Sequence, residues 1–309
     1  MISSRSDRHR RQGVRTVSAH RLNASSDFFV FERCEVIVED VLTVDIEGVD
    51  TYSLMWTPTQ SMLEPVGYTG SDGLLAPSGE PEALALAAGF CFTEGLIGGI
   101  EDVRSIAMCP GSPRTVRMQL VNPSRALMHR RHGMVTSSCG LCGGRELVEN
   151  GVLGLKPVPD ALRFNGELLG NVISAMRKRQ IIFQKTGGAH AAAVFASDGT
   201  VLAAAEDLGR HNALDKVIGI CLLRRQSMEA CGVLLSSRLS FEMIVKAVRA
   251  RLELVAAVSA PTSLAIDIAE QYGITLCGFV RDGRATIYTH DRRVRDKAPA
   301  LARHLARTG

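Results

Sequence analysis

The chain has 309 residues, of which 46% are hydrophobic and 22% charged, a composition that excludes a disordered or fibrous protein and is typical of a well-packed α/β protein. The formal net charge is +4, but residues 1–21 carry six arginines against one aspartate, and residues 290–309 carry six basic against two acidic residues. The positive charge therefore belongs to the two ends of the chain, and the sequence does not indicate a nucleic-acid-binding surface.

The sequence favours a cytoplasmic protein with reduced cysteines. The basic N-terminal segment is not followed by the apolar stretch of a signal peptide, and no segment reaches the roughly 18 apolar residues of a membrane span. The eight cysteines are therefore not expected to form disulfides. Four of them lie in or beside apolar runs and are predicted to be small buried side chains: Cys91, Cys221, Cys231 and Cys277.

The first part of the chain predicts a small α+β domain over residues 28–132. A disordered basic arm is expected over residues 1–27, because this segment is rich in arginine and serine and has little to bury. Alternating hydrophobic residues then predict one or two strands before residue 50, and a Gly/Pro/Ser-rich loop insertion follows at about residues 58–81. The remaining elements predicted here are a helix over 82–96 and strands over 103–108 and 115–121.

The second part alternates helices with short apolar strands, a pattern typical of a layered α/β sheet. This larger α/β domain is predicted over residues 147–290, after a mobile loop at 133–146 and before a basic tail at 291–309. Its predicted helices span 165–180, 211–224, 240–249 and 262–272. Its predicted strands span 191–196, 200–205, 232–236, 252–257, 274–280 and 284–289.

The stretch SSCGLCGG places Cys139 and Cys142 among glycines and small polar residues, and four interpretations of it are open. With His129 and His132 upstream, the pair has four candidate zinc ligands, although the order HxxH then CxxC is uncommon. A thioredoxin-like redox pair is disfavoured by the neighbouring glycines, which weaken a helix start. The third interpretation is a reduced turn without function. The fourth is a sulfur relay through a cysteine persulfide, for which glycines supply mobility and nearby arginines favour a thiolate.

Four polar motifs in the second part predict a site for a ligand rich in phosphate. KTGGAHAA (185–192) leads into a predicted strand, and EDLGRHNALDK (206–216) is far more polar than a helix start requires. SSRLSFE (236–242) brings hydroxyls and a guanidinium to a helix N-terminus, and FVRDGR (279–284) places two arginines in a turn, where they can stack on or pair with a nucleotide. Helix capping and ion pairing are the alternative explanation for any one of these residues.

Taken in order, TSSCGLCG, KTGGAHAAA, EDLGRHNALDK, SSRLSFEMIVKA, SAPTSLAIDIA and GFVRDGRATIYT resemble the motifs of the formate dehydrogenase accessory sulfurtransferases, the FdhD family. The resemblance runs from about Val30 to Thr289. It implies a larger domain with a cytidine deaminase-like fold, and sulfur transfer from a cysteine desulfurase to the molybdenum cofactor bis-molybdopterin guanine dinucleotide, as formate dehydrogenase requires. It also implies that Cys139 carries the persulfide, with Cys142 at the second cysteine position, and that the protein is a homodimer.

The resemblance also implies where the cofactor binds. The turn that contacts its guanine dinucleotide part matches Phe279, Val280, Arg281, Asp282, Gly283 and Arg284. We expect residues of the other motifs to complete a cofactor-binding cleft: Gly188, His190, Arg210, His211, Asn212 and Arg238. The phosphates are expected to meet the arginines and the guanine to lie near Phe279, and no bound metal ion is expected.

Two other functions compete with this one. A zinc deaminase needs a glutamate two residues after its ligand histidine and a downstream PCxxC. Here His190 is followed by Ala191 and Ala192 and the CxxC lies upstream, so deamination is not supported. A non-catalytic molybdenum cofactor-binding chaperone stays open, in which the CxxC pair has only a structural or zinc-binding role. The reactivity of Cys139 separates this chaperone from a sulfur carrier.

Overall fold

The computed structural model describes residues 13–22, 29–59, 67–69, 73–74, 81–124, 126, 152, 154–281 and 283–295. The chain forms two compact units. The first unit comprises Met1–Leu153, Lys178–Ala192 and Ala203–Gln226, and the second comprises Gly154–Arg177, Ala193–Leu202 and Ser227–Gly309. Each unit is discontinuous in sequence, whereas the sequence analysis placed residues 178–192 and 203–226 in the larger domain. The boundaries predicted at residues 132 and 147 fall outside the described residues and stay predictions.

Two antiparallel strands, β1 (Val14–Leu22) and β2 (Phe29–Ile37), form a separate sheet in the first unit. Val14, at the start of β1, is buried in a small cluster with Ile182. The expectation of a disordered arm over residues 1–27 is therefore wrong for β1, because pairing with β2 satisfies its backbone groups and burial anchors its first residue. Apart from Gly13, the rest of that segment lies outside the described residues.

The first unit also contains a six-stranded mixed sheet with the strand order β4-β3-β8-β7-β5-β6. Its strands are β3 (Asp40–Ile46), β4 (Asp50–Trp56), β5 (Gly67–Thr69), β6 (Gly73–Leu74), β7 (Val103–Cys109) and β8 (Ser112–Leu120). β3 and β8 run parallel, and the other described pairs are antiparallel. Alternation along β3 sends Leu42, Val44 and Ile46 into the core. The short strands β5 and β6 lie within the segment that was predicted as a loop insertion.

The α-helices of the described residues are α1 (Glu82–Thr93), α2 (Gly166–Arg179), α3 (Ile181–Thr186), α4 (Arg210–Leu223), α5 (Phe241–Arg249) and α6 (Ser263–Tyr272). In the first unit, α1 packs against α4. A Cβ atom at Gly89 of α1 would collide with the backbone oxygen of Asp215, and one at Gly219 of α4 would collide with that of Ala85. The two helices therefore meet backbone to backbone. Thr93 Oγ1 also donates a hydrogen bond to Asp215 Oδ1 at 2.8 Å.

The second large sheet has the strand order β10-β9-β11-β12-β13-β14. Its strands are β9 (His190–Phe195), β10 (Val201–Asp207), β11 (Gly232–Leu235), β12 (Leu254–Ala257), β13 (Thr275–Arg281) and β14 (Arg284–Thr289). β11, β12 and β13 run parallel with α5 and α6 as their crossover helices, and β14 is antiparallel to β13. β11 and β12 are buried along their whole length, which explains their uninterrupted apolar sequences.

A buried arginine fixes the end of the described chain to the second unit. Arg293 donates to Glu253 Oε2 at 3.2 Å, to Gly273 O at 2.7 Å and to Pro159 O at 2.6 Å. Its guanidinium is fully buried. The prediction of a basic tail over residues 291–309 is therefore wrong for this residue, and the part of that segment after residue 295 lies outside the described residues.

The predicted α/β class is confirmed, and the predicted elements of the second part lie close to the observed ones. The helix predicted over 211–224 is α4, and the strand predicted over 284–289 is β14. The elements that the sequence analysis missed are β1, β4, α3 and the two short strands β5 and β6. Among the described residues, no helix has both the length and the apolar character needed to cross a membrane.

Candidate functional site

The predicted sulfur-carrying cysteines, Cys139 and Cys142, lie outside the described residues, as do the alternative zinc ligands His129 and His132. Within the described part of the chain, no three His, Cys, Asp or Glu side chains are grouped so that they could hold a metal ion. The interpretations of the CxxC stretch therefore stay predictions. The geometry of the site comes from the motifs predicted to bind the cofactor.

The four cysteines that were predicted to be buried are confirmed as buried: Cys91, Cys221, Cys231 and Cys277. Burial raises the pKa of Cys277 to about 12 and that of Cys231 to about 11. The thiol of Cys34 donates a hydrogen bond to Glu32 Oε1 at 3.2 Å, and this hydrogen bond raises the pKa of Cys34. A persulfide carrier reacts as a thiolate, so raised pKa values make Cys34, Cys231 and Cys277 poorly suited to that role at neutral pH.

The KTGGAHAA motif forms a tight turn between α3 and β9 in the first unit. Gly187 ends α3 with a φ of 67°, in the left-handed region that favours glycine. A Cβ atom at Gly188 would lie 3.0 Å from a side-chain carbon of Ile37, so this position also favours glycine. The backbone N–H of Gly188 donates to Thr186 Oγ1 at 3.1 Å. The turn thus places His190 at the start of β9.

Arg210 and His211 lie close enough to His190 in the first unit to interact with it electrostatically. Burial lowers the pKa of His190 below its ordinary value, and the nearby charges of Arg210 and His211 lower it further, against the opposing effect of Asp207. Arg210 and His211 lie in the first turn of α4, where the helix dipole adds to the positive potential. This arrangement suits an anionic ligand group such as a phosphate.

Asn212, also in the first turn of α4, is largely engaged within the protein. Its Nδ2 donates to Met55 O at 2.6 Å and to Asp207 Oδ1 at 3.0 Å. Both amide hydrogens are therefore used inside the first unit, and the side-chain oxygen is the group that it can offer to a ligand. Asp207 Oδ1 also accepts the backbone N–H of Gly209 at 2.9 Å, so this carboxylate fixes the start of α4.

In the second unit, two loops and the end of β13 meet beyond the carboxyl ends of the parallel strands, which is where α/β sheets bind their ligands. The loop after β11 carries the exposed Arg238. The backbone N–H of Leu239 donates to Ala260 O at 3.1 Å, which joins this loop to the loop after β12. The N–H of Phe279 in β13 donates to Ser259 O at 3.2 Å, which joins the end of β13 to the loop after β12.

Phe279 has a strained backbone at the irregular end of β13. Its φ is 54°, in the left-handed region that bulky residues rarely adopt, and 39% of the residue is exposed. The β13–β14 register shifts between Gly278 and Arg281. A Cβ atom at Gly278 would lie 3.0 Å from the ring of Pro261 and 3.1 Å from that of Tyr288, so glycine permits this close packing. Strain of this kind is often stored at ligand sites.

Arg281 and Arg284 are both exposed and are direct Cα partners across the β13–β14 pair. Like charges placed directly opposite each other destabilise a strand pair, so a bound anion would relieve their repulsion. Gly283 has a φ of 73° and supplies the left-handed turn, while Asp282 lies outside the described residues. Val280 is only 2% exposed, so its backbone and not its side chain is available to a ligand.

The sequence-predicted residues therefore form two groups, each within one unit. The first unit contains Gly188, His190, Arg210, His211 and Asn212, and the second contains Arg238, Phe279, Val280, Arg281, Gly283 and Arg284. Ser259 and Pro261, which support Phe279 and Gly278 from the loop after β12, were not predicted from the sequence. The motif SAPTSLAIDIA, which contains both residues, was the available signal.

Comparisons with known proteins address the identity of the chain. A model of the FdhD/NarQ family matches residues 79–295. A protein named sulfur carrier protein FdhD from Anaeromyxobacter dehalogenans (strain 2CP-C) is 35% identical over 279 residues, covering 85% of this chain and 89% of its own length. The protein of the same name from Mycolicibacterium paratuberculosis (strain ATCC BAA-968 / K-10) is 38% identical over 272 residues, covering 84% and 91%.

A solved structure shares the fold. The crystal structure of a protein from Desulfotalea psychrophila, described as a formate dehydrogenase accessory protein, superimposes with a TM-score of 0.68 and 20% sequence identity. The match covers 91% of this chain and 99% of that protein. The family match, which extends over more than half of the chain, and the identity to curated relatives over most of their lengths lead to one conclusion. The chain belongs to the FdhD/NarQ family.

Proposed function

We propose that this protein is a sulfur carrier that accepts persulfide sulfur from a cysteine desulfurase and transfers it to bis-molybdopterin guanine dinucleotide, as formate dehydrogenase activity requires. Family membership and the names of the curated relatives support the sulfur-carrier role. The cofactor, the sulfur donor and the client enzyme are inferred from the resemblance of the motifs.

The observation that carries the proposal is the strained Phe279 beside the facing pair Arg281 and Arg284. An exposed aromatic ring offers a stacking surface to a nucleobase, and two guanidinium groups offer paired donors to a diphosphate. A bound nucleotide would stack on the ring of Phe279, whose position the strained backbone fixes, and its phosphates would offset the repulsion between the two arginines. A guanine nucleotide with its diphosphate has the chemistry that this group of residues can recognise.

Cys139 is the proposed carrier of the sulfur. Its thiolate attacks the terminal sulfur of the donor persulfide, a new S–S bond forms on Cys139, and the donor cysteine leaves as a thiolate. Attack of the Cys142 thiolate on Sγ of Cys139 would then break the persulfide S–S bond, form a Cys139–Cys142 disulfide and release the carried sulfur as sulfide to the cofactor; a reductant that reduces the disulfide would restore the carrier. The raised pKa values of Cys34, Cys231 and Cys277 support the assignment of this chemistry to the CxxC pair.

The cofactor is cargo in this proposal and not a resident group. We place the reaction in the cytoplasm, with a homodimer as the working form, and we assign the larger domain a cytidine deaminase-like architecture. The hydrolytic chemistry of the deaminases is not part of the proposal, since Ala192 stands where their glutamate is needed and is fully buried.

Peptide mass spectrometry tests the carrier role. The full-length protein is incubated with a cysteine desulfurase and cysteine, with and without reductant, and the peptide that contains Cys139 is examined for one additional sulfur atom. The adduct is expected on Cys139, and reductant should remove it. The matched variants are Cys139→Ala, which should lose the adduct, and Cys142→Ala, which should still accept sulfur.

The outcome also separates the two competing functions. If both thiols of the CxxC pair stay unmodified while the protein carries stoichiometric zinc, the sulfur-carrier function is wrong and a cofactor chaperone takes its place. If the adduct forms on the buried Cys277 in place of the CxxC pair, the assignment of the carrier residue is wrong.

A further inference from the structure

Four charged residues of the EDLGRHNALDK motif are buried in the first unit: Glu206, Asp207, Lys216 and Asp215, the last of which accepts the hydrogen bond from Thr93 of α1. Asp207 and Lys216 are fully buried, and Glu206 is 8% exposed. Buried ionic groups lose their hydration, and well-packed apolar residues of similar volume often stabilise a protein at least as well. Stability alone therefore does not explain these residues, and none of them is exposed enough to serve as an open ligand-binding group.

Lys216, on α4, is held by four oxygen atoms from three other segments. Its Nζ donates to Thr57 O and Glu206 O, each at 2.9 Å, and forms ion pairs with Asp207 Oδ2 at 2.8 Å and Glu82 Oε1 at 3.4 Å. Burial opposes its charge, but the two carboxylates outweigh this effect and raise the pKa of Lys216. The charged ammonium group thus joins α4 to the end of β10, to the start of α1 and to the segment after β4.

Asp207, which pairs with Lys216, also forms hydrogen bonds with the first turn of α4. Its Oδ1 accepts the backbone N–H of Gly209 at 2.9 Å and the Nδ2 of Asn212 at 3.0 Å. Arg210 and His211 lie between these two anchored residues. The direction in which α4 presents them therefore depends on the carboxylate that Lys216 holds in place.

Glu206, the preceding residue, anchors a different helix. Its two carboxylate oxygens accept the backbone N–H groups of Ile182 and Phe183, both at 2.8 Å. These groups belong to the first turn of α3, which has no side-chain cap of its own. α3 leads through the glycine turn directly to His190, so Glu206 fixes the approach to that histidine.

We propose that Glu206, Asp207 and Lys216, here called the clamp, are positioning residues that hold the starts of α3 and α4 and so keep His190 beside Arg210 and His211 to receive an anionic group of the cofactor. Neighbouring carboxylates at the end of one strand thereby orient both motifs of the first unit. The assignment of the ligand rests on the proposed function, whereas the positioning of the two helices does not.

The clamp is tested in the full-length protein with Lys216→Met, which keeps an unbranched side chain one heavy atom shorter than that of lysine and removes the charge. The matched control is Leu42→Ala, a substitution of a fully buried residue of β3 that lowers stability without removing a charge. The ligand-free readout is the titration of the His190 and His211 imidazoles by NMR. The ligand readout is the affinity for inorganic phosphate by calorimetry, because His190, Arg210 and His211 are proposed to receive an anionic group.

We expect Lys216→Met to move the His190 titration by on the order of half a pH unit or more, and to weaken inorganic phosphate binding by about tenfold or more, while the control leaves both unchanged. A variant that folds and titrates like the wild type overturns the clamp, as does a control that shifts both readouts equally. If Lys216→Met does not fold, Asp207→Asn is measured against the same criteria, since it keeps the shape of the side chain. A wild-type protein that does not bind inorganic phosphate refutes the anion site of the first unit alone, because the histidine titrations still decide the clamp.

Discussion

Replacing Phe279 by glycine and by alanine separates the cost of its backbone conformation from the contribution of its ring. The φ of Phe279 is 54°, and a left-handed conformation costs an L-residue about 1–2 kcal/mol. Glycine avoids this cost but loses more conformational freedom on folding, which offsets about 0.5–1 kcal/mol of that gain in stability. Since both variants lack the ring, we expect F279G to be more stable than F279A by about 0.5–1 kcal/mol.

The ring makes its own contribution to stability and to binding. Complete burial of a phenylalanine side chain is worth about 1.5–3 kcal/mol. Because Phe279 is 39% exposed, its truncation to alanine should cost about 1–2 kcal/mol. Stacking of a base on an aromatic ring contributes about 1–3 kcal/mol, so both variants should bind guanosine diphosphate about 5- to 150-fold more weakly than the wild type.

Urea unfolding of the full-length chain measures the stabilities, and calorimetry measures the affinities. The midpoints are compared only among variants that share the same denaturant dependence, because a changed slope signals a changed denatured or native state. F279Y keeps both the ring and the left-handed backbone and is the matched control, with stability and affinity close to wild type. F279A equal to or more stable than F279G would refute the strain argument, and full affinity in both variants would refute stacking on the ring.

Three further predictions follow from the packing, the charges and the thiols. Gly219→Ala should destabilise the protein by about 1–3 kcal/mol or more, because its methyl group meets a backbone oxygen of α1; an unchanged urea midpoint would contradict the backbone-to-backbone packing. Arg284→Gln should weaken guanosine diphosphate binding by about tenfold and reduce the salt dependence of the affinity, which calorimetry at two salt concentrations will show. The free protein should be as stable as the wild type or slightly more stable in urea unfolding, because one of two facing positive charges is removed. At pH 7.5, iodoacetamide should modify Cys139 while Cys231 and Cys277 stay unmodified, since pKa values of about 11 and 12 leave little thiolate until the pH approaches those values; peptide mass spectrometry across pH checks the order.

The sequence predicts an element well where local signals and burial agree. α4 was predicted within one residue at each end, because an apolar run follows a polar start, and β14 was predicted at its observed bounds. α3 was missed because its sequence IIFQKT is short and begins with two β-branched residues, which favour a strand. Its helical start depends on Glu206, which lies 24 residues away from Ile182. No local pattern contains that contact.

The candidate site was predictable to a similar depth. The exposed arginines of FVRDGR and the polar first turn of α4 were predicted from the motifs, because these stretches are more polar than a turn or a helix start requires. The burial of Asp207 and Lys216 did not follow, because it depends on Thr57, about 150 residues away in the chain. Asn212 was likewise predicted as a ligand contact, although Met55 O and Asp207 already receive its amide hydrogens.

The position of the strain at Phe279 distinguishes it from the left-handed residues Arg225 and Arg251. Arg225 and Arg251 also have positive φ angles, of 52° and 57°, but each follows the last turn of a helix, where a left-handed residue commonly ends the helix. Phe279 lies inside β13, where such a conformation caps nothing and interrupts the pairing with β14. In natural proteins the conformational preference of each residue usually agrees with the conformation that the fold gives it, and exceptions concentrate at functional sites. A ligand that stacks on the ring and pairs with Arg281 and Arg284 would give both local conflicts one explanation, so the same ligand should stabilise the folded protein by an amount that rises with the logarithm of its concentration above the dissociation constant.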